Sequence, residues 1–161
     1  MLERFCDWLV RTDLSQLFSS SDWFVPGVQT IHILAISVVV TLLAMLNFRL
    51  LRITSSGPTL HSLAIGYIPL VWISLLVLFA TGTLLTITEP ARELLNNVFR
   101  VKMLLVAILI ALTATLRLTL RRDPAYWTVS ARRRFLGRAL ALTILILCVG
   151  IVAAGRFIAY A

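Results

Sequence analysis

Four long apolar stretches constrain the fold of this 161-residue chain more than any other feature of its sequence. They cover roughly residues 25–48, 60–88, 98–116 and 136–160, and a helix needs about 20 apolar residues to cross a bilayer. A water-soluble domain of this length has too little interior for a sequence in which 60% of the residues are hydrophobic and 14% are charged. The sequence therefore predicts an all-α fold, a bundle of four transmembrane helices in a lipid bilayer.

The segment before the first stretch, residues 1–24, differs in character from the rest. Its apolar residues recur at helical spacing, with charged residues on the opposite side. This pattern is typical of an amphipathic helix that lies in the membrane interface, helped here by Trp8 and Trp23. We therefore expect an interfacial segment over 1–24 and a four-helix membrane domain over 25–161. Cys6 belongs to the first and Cys148 to the second, so a disulfide between them is not expected.

The excess positive charge is concentrated in the two loops on one side of the predicted membrane domain. Those loops hold nine arginines and a single acid, Asp123, for a net charge of +8, whereas the residues on the other side sum to zero. Loops rich in arginine stay in the cytoplasm, so both termini are expected outside. This topology signal accounts for the basic charge, and we predict no nucleic-acid partner.

Polar side chains lie inside the apolar stretches near the outer membrane surface. His32 is about seven residues, or roughly 10 Å, inside the first stretch, and Lys102 and Arg156 lie roughly 6 to 7 Å inside theirs. Gln29 is one helical turn from His32 on the same face. An ionisable side chain within a span costs about 2.5 to 3.5 kcal/mol on insertion scales, so each needs a partner or a role. The sequence predicts a ligand-binding cluster of Gln29, His32, Lys102 and Arg156.

Less specific interpretations of the same residues remain open. Lys102 and Arg156 are long enough to reach the headgroups from within the bilayer, and His32 could be a neutral imidazole that hydrogen-bonds inside the bundle. If the polar stripes of the spans face inward, two polar chambers are separated by an apolar middle, which argues against a continuous channel. On the last span, the stripe predicted to face inward consists of Arg138, Leu142, Leu145, Val152 and Arg156.

A haem bound between the two histidines is the obvious cofactor hypothesis. His61 lies at the inner end of the second span, so its depth differs from that of His32 by roughly 15 to 20 Å. Two axial ligands of one metal have nitrogens only about 4 Å apart, from two bonds of about 2 Å. One haem therefore cannot use both histidines. A haem at His32 would have Met103, Lys102 or nothing as its second ligand, and copper at His32 would use Met103 or Cys148. The cofactor is left open, with haem and copper as candidates.

Short motifs in this chain resemble a family of four-helix bacterial membrane proteins. The motifs are VPGVQTIHILAIS at 25–37, IPLVWISLLVLFATG at 68–82, NNVFRVKMLLVAIL at 96–109 and GRFIAY at 155–160. That family is distantly similar to copper-resistance protein D and to cytochrome b561-type bundles. The resemblance implies that the protein lies in the bacterial inner membrane. It also implies that four residues occupy motif positions of the family, namely His32, Trp72, Lys102 and Arg156.

Three functions are compatible with these features. The first is a binding or redox-accessory protein with its site at the outer cluster. The second is a non-catalytic subunit of a membrane complex, or a self-associating scaffold, in which the polar cluster only sets helix register. The third is a small transporter of copper or protons. No catalytic motif such as HExxH or a glycine-rich phosphate loop occurs in the sequence, so an enzyme is not favoured.

Overall fold

A computed structural model of the protein describes residues 2–12, 15, 23–53, 59–123, 125–127 and 129–158. These residues form helices connected by short segments, which confirms the predicted all-α four-helix bundle. The predicted turn at 54–58 lies outside the described residues, as does most of the segment between 13 and 22. The helices are α1 (Leu2–Val10), α2 (Phe24–Leu50), α3 (Leu60–Thr88), α4 (Pro90–Leu94), α5 (Asn97–Arg122) and α6 (Ala131–Ile158).

The four long helices, α2, α3, α5 and α6, are each long and apolar enough to cross a membrane. The chain is thus a multi-pass membrane protein. The helices α5 and α6 extend beyond the predicted apolar stretches at their arginine-rich ends, because arginine favours helix and needs no burial there. Side-chain caps mark two of the starts. Thr59 Oγ1 accepts a hydrogen bond from the Ser62 amide, and Asn96 Oδ1 accepts one from the Val98 amide.

The long helices pack as neighbours in the order α3, α2, α6, α5, and α5 touches α3 at only a few positions. Their directions alternate. Gly137 near the start of α6 lies beside Leu50 at the end of α2, and Gly150 in α6 lies beside Leu105 in the first half of α5. The bundle therefore has two distinct ends. The His32 end holds the starts of α2 and α5 and the ends of α3 and α6, and the basic end holds their opposite termini.

An apolar core fills the bundle between these ends. It includes Leu43, Leu46, Val71, Leu116 and Ile144. Cys148 belongs to the same core, and both it and Cys6 are buried free thiols, which confirms that the two do not form a disulfide.

The face of α6 that points into the bundle differs from the predicted one. Leu142 is 51% exposed and Val152 46% exposed, and Arg156 is exposed on the same outer surface. The buried residues of α6 are instead mostly small: Gly137, Ala141, Ile144, Cys148, Ala154 and Ile158. The prediction for this helix is wrong because lipid solvates large apolar side chains as well as a protein core does. Close backbone approach then decides which face packs, and small residues permit it.

The N-terminal segment rests against the His32 end of the bundle. The helix α1 contacts α4 and the nearby end of α3. Beyond it, the buried Ser15 hydroxyl donates a hydrogen bond to the Ile87 carbonyl oxygen at 3.0 Å. The segment is therefore part of the folded domain and is held by its own contacts.

Candidate functional site

His32 is half-buried on α2 and makes its polar contact with the neighbouring helix α3. Its Nδ1 lies 2.7 Å from the Thr81 hydroxyl oxygen. Gly82, the next residue on α3, leaves room for the ring, since a Cβ added there would lie 3.4 Å from His32 Cε1. Neither Thr81 nor Gly82 belongs to the site that the sequence predicts. The one feature of the sequence that could have indicated them is the short connection between α2 and α3. It makes the two helices antiparallel neighbours and so brings the start of α2 beside the end of α3.

The hydrogen bonds of Thr81 determine which ring nitrogen of His32 carries the proton. A threonine hydroxyl has one hydrogen to donate, and the Thr81 oxygen lies 2.8 Å from the Val77 carbonyl oxygen one turn earlier in α3. With that hydrogen given to the carbonyl, the hydroxyl can only accept from His32, so Nδ1 carries the N–H. In the neutral ring the lone pair is then on Nε2. Helix α3 thereby orients the imidazole through Nδ1.

Of the other residues predicted for the His32 end, Lys102 is the one that does not lie on an exposed face. Lys102 is half-buried on α5, and its Nζ lies 5.9 Å from the centroid of the Phe99 ring. By contrast, Gln29 and Arg156 lie on exposed faces of their helices, and Met103 is 47% exposed. The structure thus favours a smaller site made of His32, Thr81, Gly82 and Lys102.

The two histidines lie at opposite ends of the bundle. His32 contacts Thr81, and His61 lies twenty residues before Thr81 on the same helix, which places the rings about 30 Å apart at helical rise. Two axial nitrogens about 4 Å apart cannot come from this pair. Among the residues that the structure describes, no group of three or more His, Cys, Asp or Glu gathers around a point. These residues do not fit a haem held by two histidines.

Trp72 belongs to the other half of the bundle. The Arg117 guanidinium carbon lies 5.7 Å from its ring centroid, in cation–π geometry. Since Trp72 and Thr81 are nine residues apart on α3, about 13 Å separates their levels. Trp72 Nε1 is buried and has no hydrogen-bond partner among the residues that the structure describes, and the same holds for Asn47 Oδ1 and Thr113 Oγ1. The resemblance groups Trp72 with His32, whereas the structure separates the two.

A cleft opens at the basic end where α3 and α5 make few contacts. It encloses about 210 Å³, and its basic lining residues are His61, Arg117 and Arg121. The apolar remainder of the lining consists of Ala64, Ile65, Ile68, Pro69 and Leu120. The sequence does not predict this cleft, because its residues come from two helices that are far apart along the chain.

The chain matches no family model, no curated protein and no solved structure. Its function therefore has to be inferred from its own residues, and the similarity to copper-resistance protein D and cytochrome b561-type bundles stays a prediction.

Proposed function

We propose that this protein is a membrane-embedded binding and redox-accessory protein whose ligand lies at the His32 end. The observation that carries the proposal is the hydrogen bond between His32 and Thr81, at 2.7 Å, which presents Nε2 as an acceptor. In metal sites, a ligating histidine is usually oriented by a hydrogen bond from its other nitrogen, and the same arrangement can orient His32 Nε2 toward an organic ligand. An ionisable side chain this far inside a span is itself an indication of function.

The ligand class that suits this pair of residues is a ring bearing carbonyl or hydroxyl groups, such as a quinone or its reduced form. A hydroxyl can donate to His32 Nε2, and a carbonyl can accept from the Lys102 ammonium. A bound metal ion is less favourable here, because the positive charge of Lys102 would repel it. Met103, the soft donor that the sequence suggests for copper, lies on an exposed face.

The cellular setting that we propose follows from the charge distribution and the resemblance. The arginine-rich basic end would face the cytoplasm of a bacterium, with both termini on the outer side of the inner membrane. The helix α1 would then lie in the outer interface, since its exposed Trp8 and Val10 suit the boundary between headgroups and acyl chains. The ligand site at the His32 end would open toward that same outer leaflet.

Binding of a short-chain quinone to the purified protein tests the proposal. Replacing His32→Phe keeps an aromatic ring but removes Nε2, and we expect binding at least about tenfold weaker from one lost hydrogen bond in an apolar site. Thr83→Val is the control, because Thr83 is exposed on α3, the helix of Thr81, and among the described residues its hydroxyl donates to the Phe79 carbonyl oxygen of its own helix. It should bind the quinone as tightly as the unaltered protein. Equal binding by the folded His32→Phe protein would refute the site.

A structural role is the alternative, and the same hydrogen bond favours it. The contact between His32 and Thr81 ties α2 to α3 at the end where their loop is farthest away. In a non-catalytic subunit or a homo-oligomer, this bond would only set helix register. A His32→Phe protein that loses stability, in a background where no quinone binding is measurable, supports this alternative.

A further inference from the structure

The cleft at the basic end combines positive charge with an apolar wall. His61 and Arg117 are half-buried and Arg121 is exposed, and all three line the same space between α3 and α5. The lining contains no acidic residue. Guanidinium groups pair with phosphate oxygens through parallel N–H donors, so this lining suits a phosphate group.

Arg117 is positioned before any ligand arrives. Its guanidinium lies over the Trp72 ring, which limits the conformations of a long side chain and reduces the entropy lost on binding. The wall beside it has one further polar feature. Pro69 has no N–H to give the Ile65 carbonyl oxygen four residues earlier, so a backbone acceptor at the cleft lacks its usual helical donor.

The cleft also borders the lipid-facing surface. Ile65 is 64% exposed, and the few contacts between α3 and α5 leave the seam above the cleft open. An acyl chain can lie along this seam while its headgroup reaches the arginines. A soluble anion would gain nothing from such an apolar wall.

We propose that this cleft binds the phosphodiester headgroup of an anionic phospholipid, with Arg117 and Arg121 on the phosphate. His61 and the Ile65 carbonyl oxygen are placed to contact the rest of the headgroup, and phosphatidylglycerol, which carries hydroxyl groups, fits that pattern. The site is independent of the ligand proposed for the His32 end, because the residues of α3 that line the cleft lie about 18 to 30 Å from Thr81 along the helix.

The test is a titration of the purified protein in detergent with phosphatidylglycerol, followed by native mass spectrometry. Arg117→Gln and Arg121→Gln should each weaken binding about tenfold, the effect of one charge-assisted hydrogen-bonding group. Arg122→Gln is the matched control. Arg122 is the next residue on α5 and is exposed, but it does not line the cleft. Its substitution removes the same charge as the other two. It should weaken binding less than about threefold, and phosphatidylcholine should bind weakly to every variant.

Two outcomes would overturn the proposal. If the three arginine substitutions weaken binding equally, the lipid is attracted by diffuse surface charge and the cleft is not its site. If inorganic phosphate or glycerol phosphate displaces the lipid at equal concentration, the site recognises a soluble phosphate and the lipid assignment is wrong. Should Arg117→Gln fail to fold, Arg121→Gln decides the question, because Arg121 is an exposed side chain whose loss leaves the packing intact.

Discussion

At the scale of single residues, buried hydroxyl groups with the same chemistry have opposite roles in this protein. The Thr81 hydroxyl donates to the Val77 carbonyl oxygen and accepts from His32, so its hydrogen-bonding capacity is used. The Thr113 hydroxyl is also buried, but it has no hydrogen-bond partner in the described part of the chain. A satisfied buried hydrogen bond stabilises the fold, whereas an unsatisfied polar group opposes it.

Valine substitutions measure this difference directly, because valine has nearly the shape of threonine. Thr81→Val should lower the free energy of unfolding by about 1 to 2 kcal/mol, since it leaves the His32 N–H without an acceptor. Thr113→Val should leave the free energy of unfolding unchanged or raise it by up to about 1 kcal/mol. Reversible unfolding in mixed micelles of detergent and sodium dodecyl sulfate is the measurement. A loss at Thr113 as large as that at Thr81 would mean that the Thr113 hydroxyl has a partner such as a bound water.

At the scale of helices, the close packing of α6 against Trp127 and α2 depends on Gly137, which has no side chain. The buried Trp127 ring lies beside Gly137, and its Nε1 donates to the Thr119 hydroxyl at 3.1 Å. A Cβ at Gly137 would lie 3.1 Å from Trp127 Cε3 and 3.4 Å from Leu50 Cδ1. Trp127 is thus packed against the bundle, and it helps to place α6 against α2.

Gly137→Val should therefore destabilise the protein. The larger side chain would displace Trp127 or move α6, and overpacking of this kind costs about 1 to 3 kcal/mol of unfolding free energy. Gly155→Val is the matched control on the same helix, because a Cβ there meets nothing within 4 Å. It should leave stability unchanged or slightly raised, as replacement of a helical glycine often does. Equal effects of the two substitutions would mean that Gly137 is not a packing position.

At the scale of the whole molecule, the two ends of the bundle differ both in charge and in the polar residues that they hold. The basic end holds the arginine-rich loops and the proposed lipid cleft, and the opposite end holds His32, Lys102 and the N-terminal helix. If both proposals hold, the two ligands bind at opposite ends of the molecule, on either side of the apolar core. The orientation in the membrane decides which leaflet each site faces.

Cysteine labelling tests the proposed orientation. Cys6 and Cys148 are both buried, so the native thiols should react slowly and need not be removed. Trp23→Cys places a thiol where the side chain is 86% exposed at the His32 end, and Val129→Cys places one where it is 64% exposed at the basic end. An impermeant thiol reagent should label the first in intact cells and the second only after lysis. The reverse pattern would invert the proposed topology.

The depth of the site in the membrane can be predicted from the amino-acid sequence, but most of the residues that form the site cannot. The depth of His32 follows from counting residues along one helix. Counting also shows that the two histidines lie at different depths, but the predicted difference of roughly 15 to 20 Å is smaller than the separation of about 30 Å along α3. Thr81 cannot be found by that counting, because it is one of several threonines on α3 and only the rotation of α2 against α3 selects it. The same holds for the cleft, whose arginines and apolar wall meet through the packing of two helices.

The number of membrane helices, their approximate limits and the separation of charge between the two ends are set by the sequence alone. These properties depend only on the order of residues along the chain. The thickness of the bilayer sets the length of each apolar stretch, and arginine-rich loops stay on the cytoplasmic side. Which face of each helix turns inward was decided only by the tertiary structure, as the outward position of Leu142 and Arg156 shows. In lipid the hydrophobic effect does not distinguish one apolar face from another, so close packing of small residues and a few polar contacts make that choice.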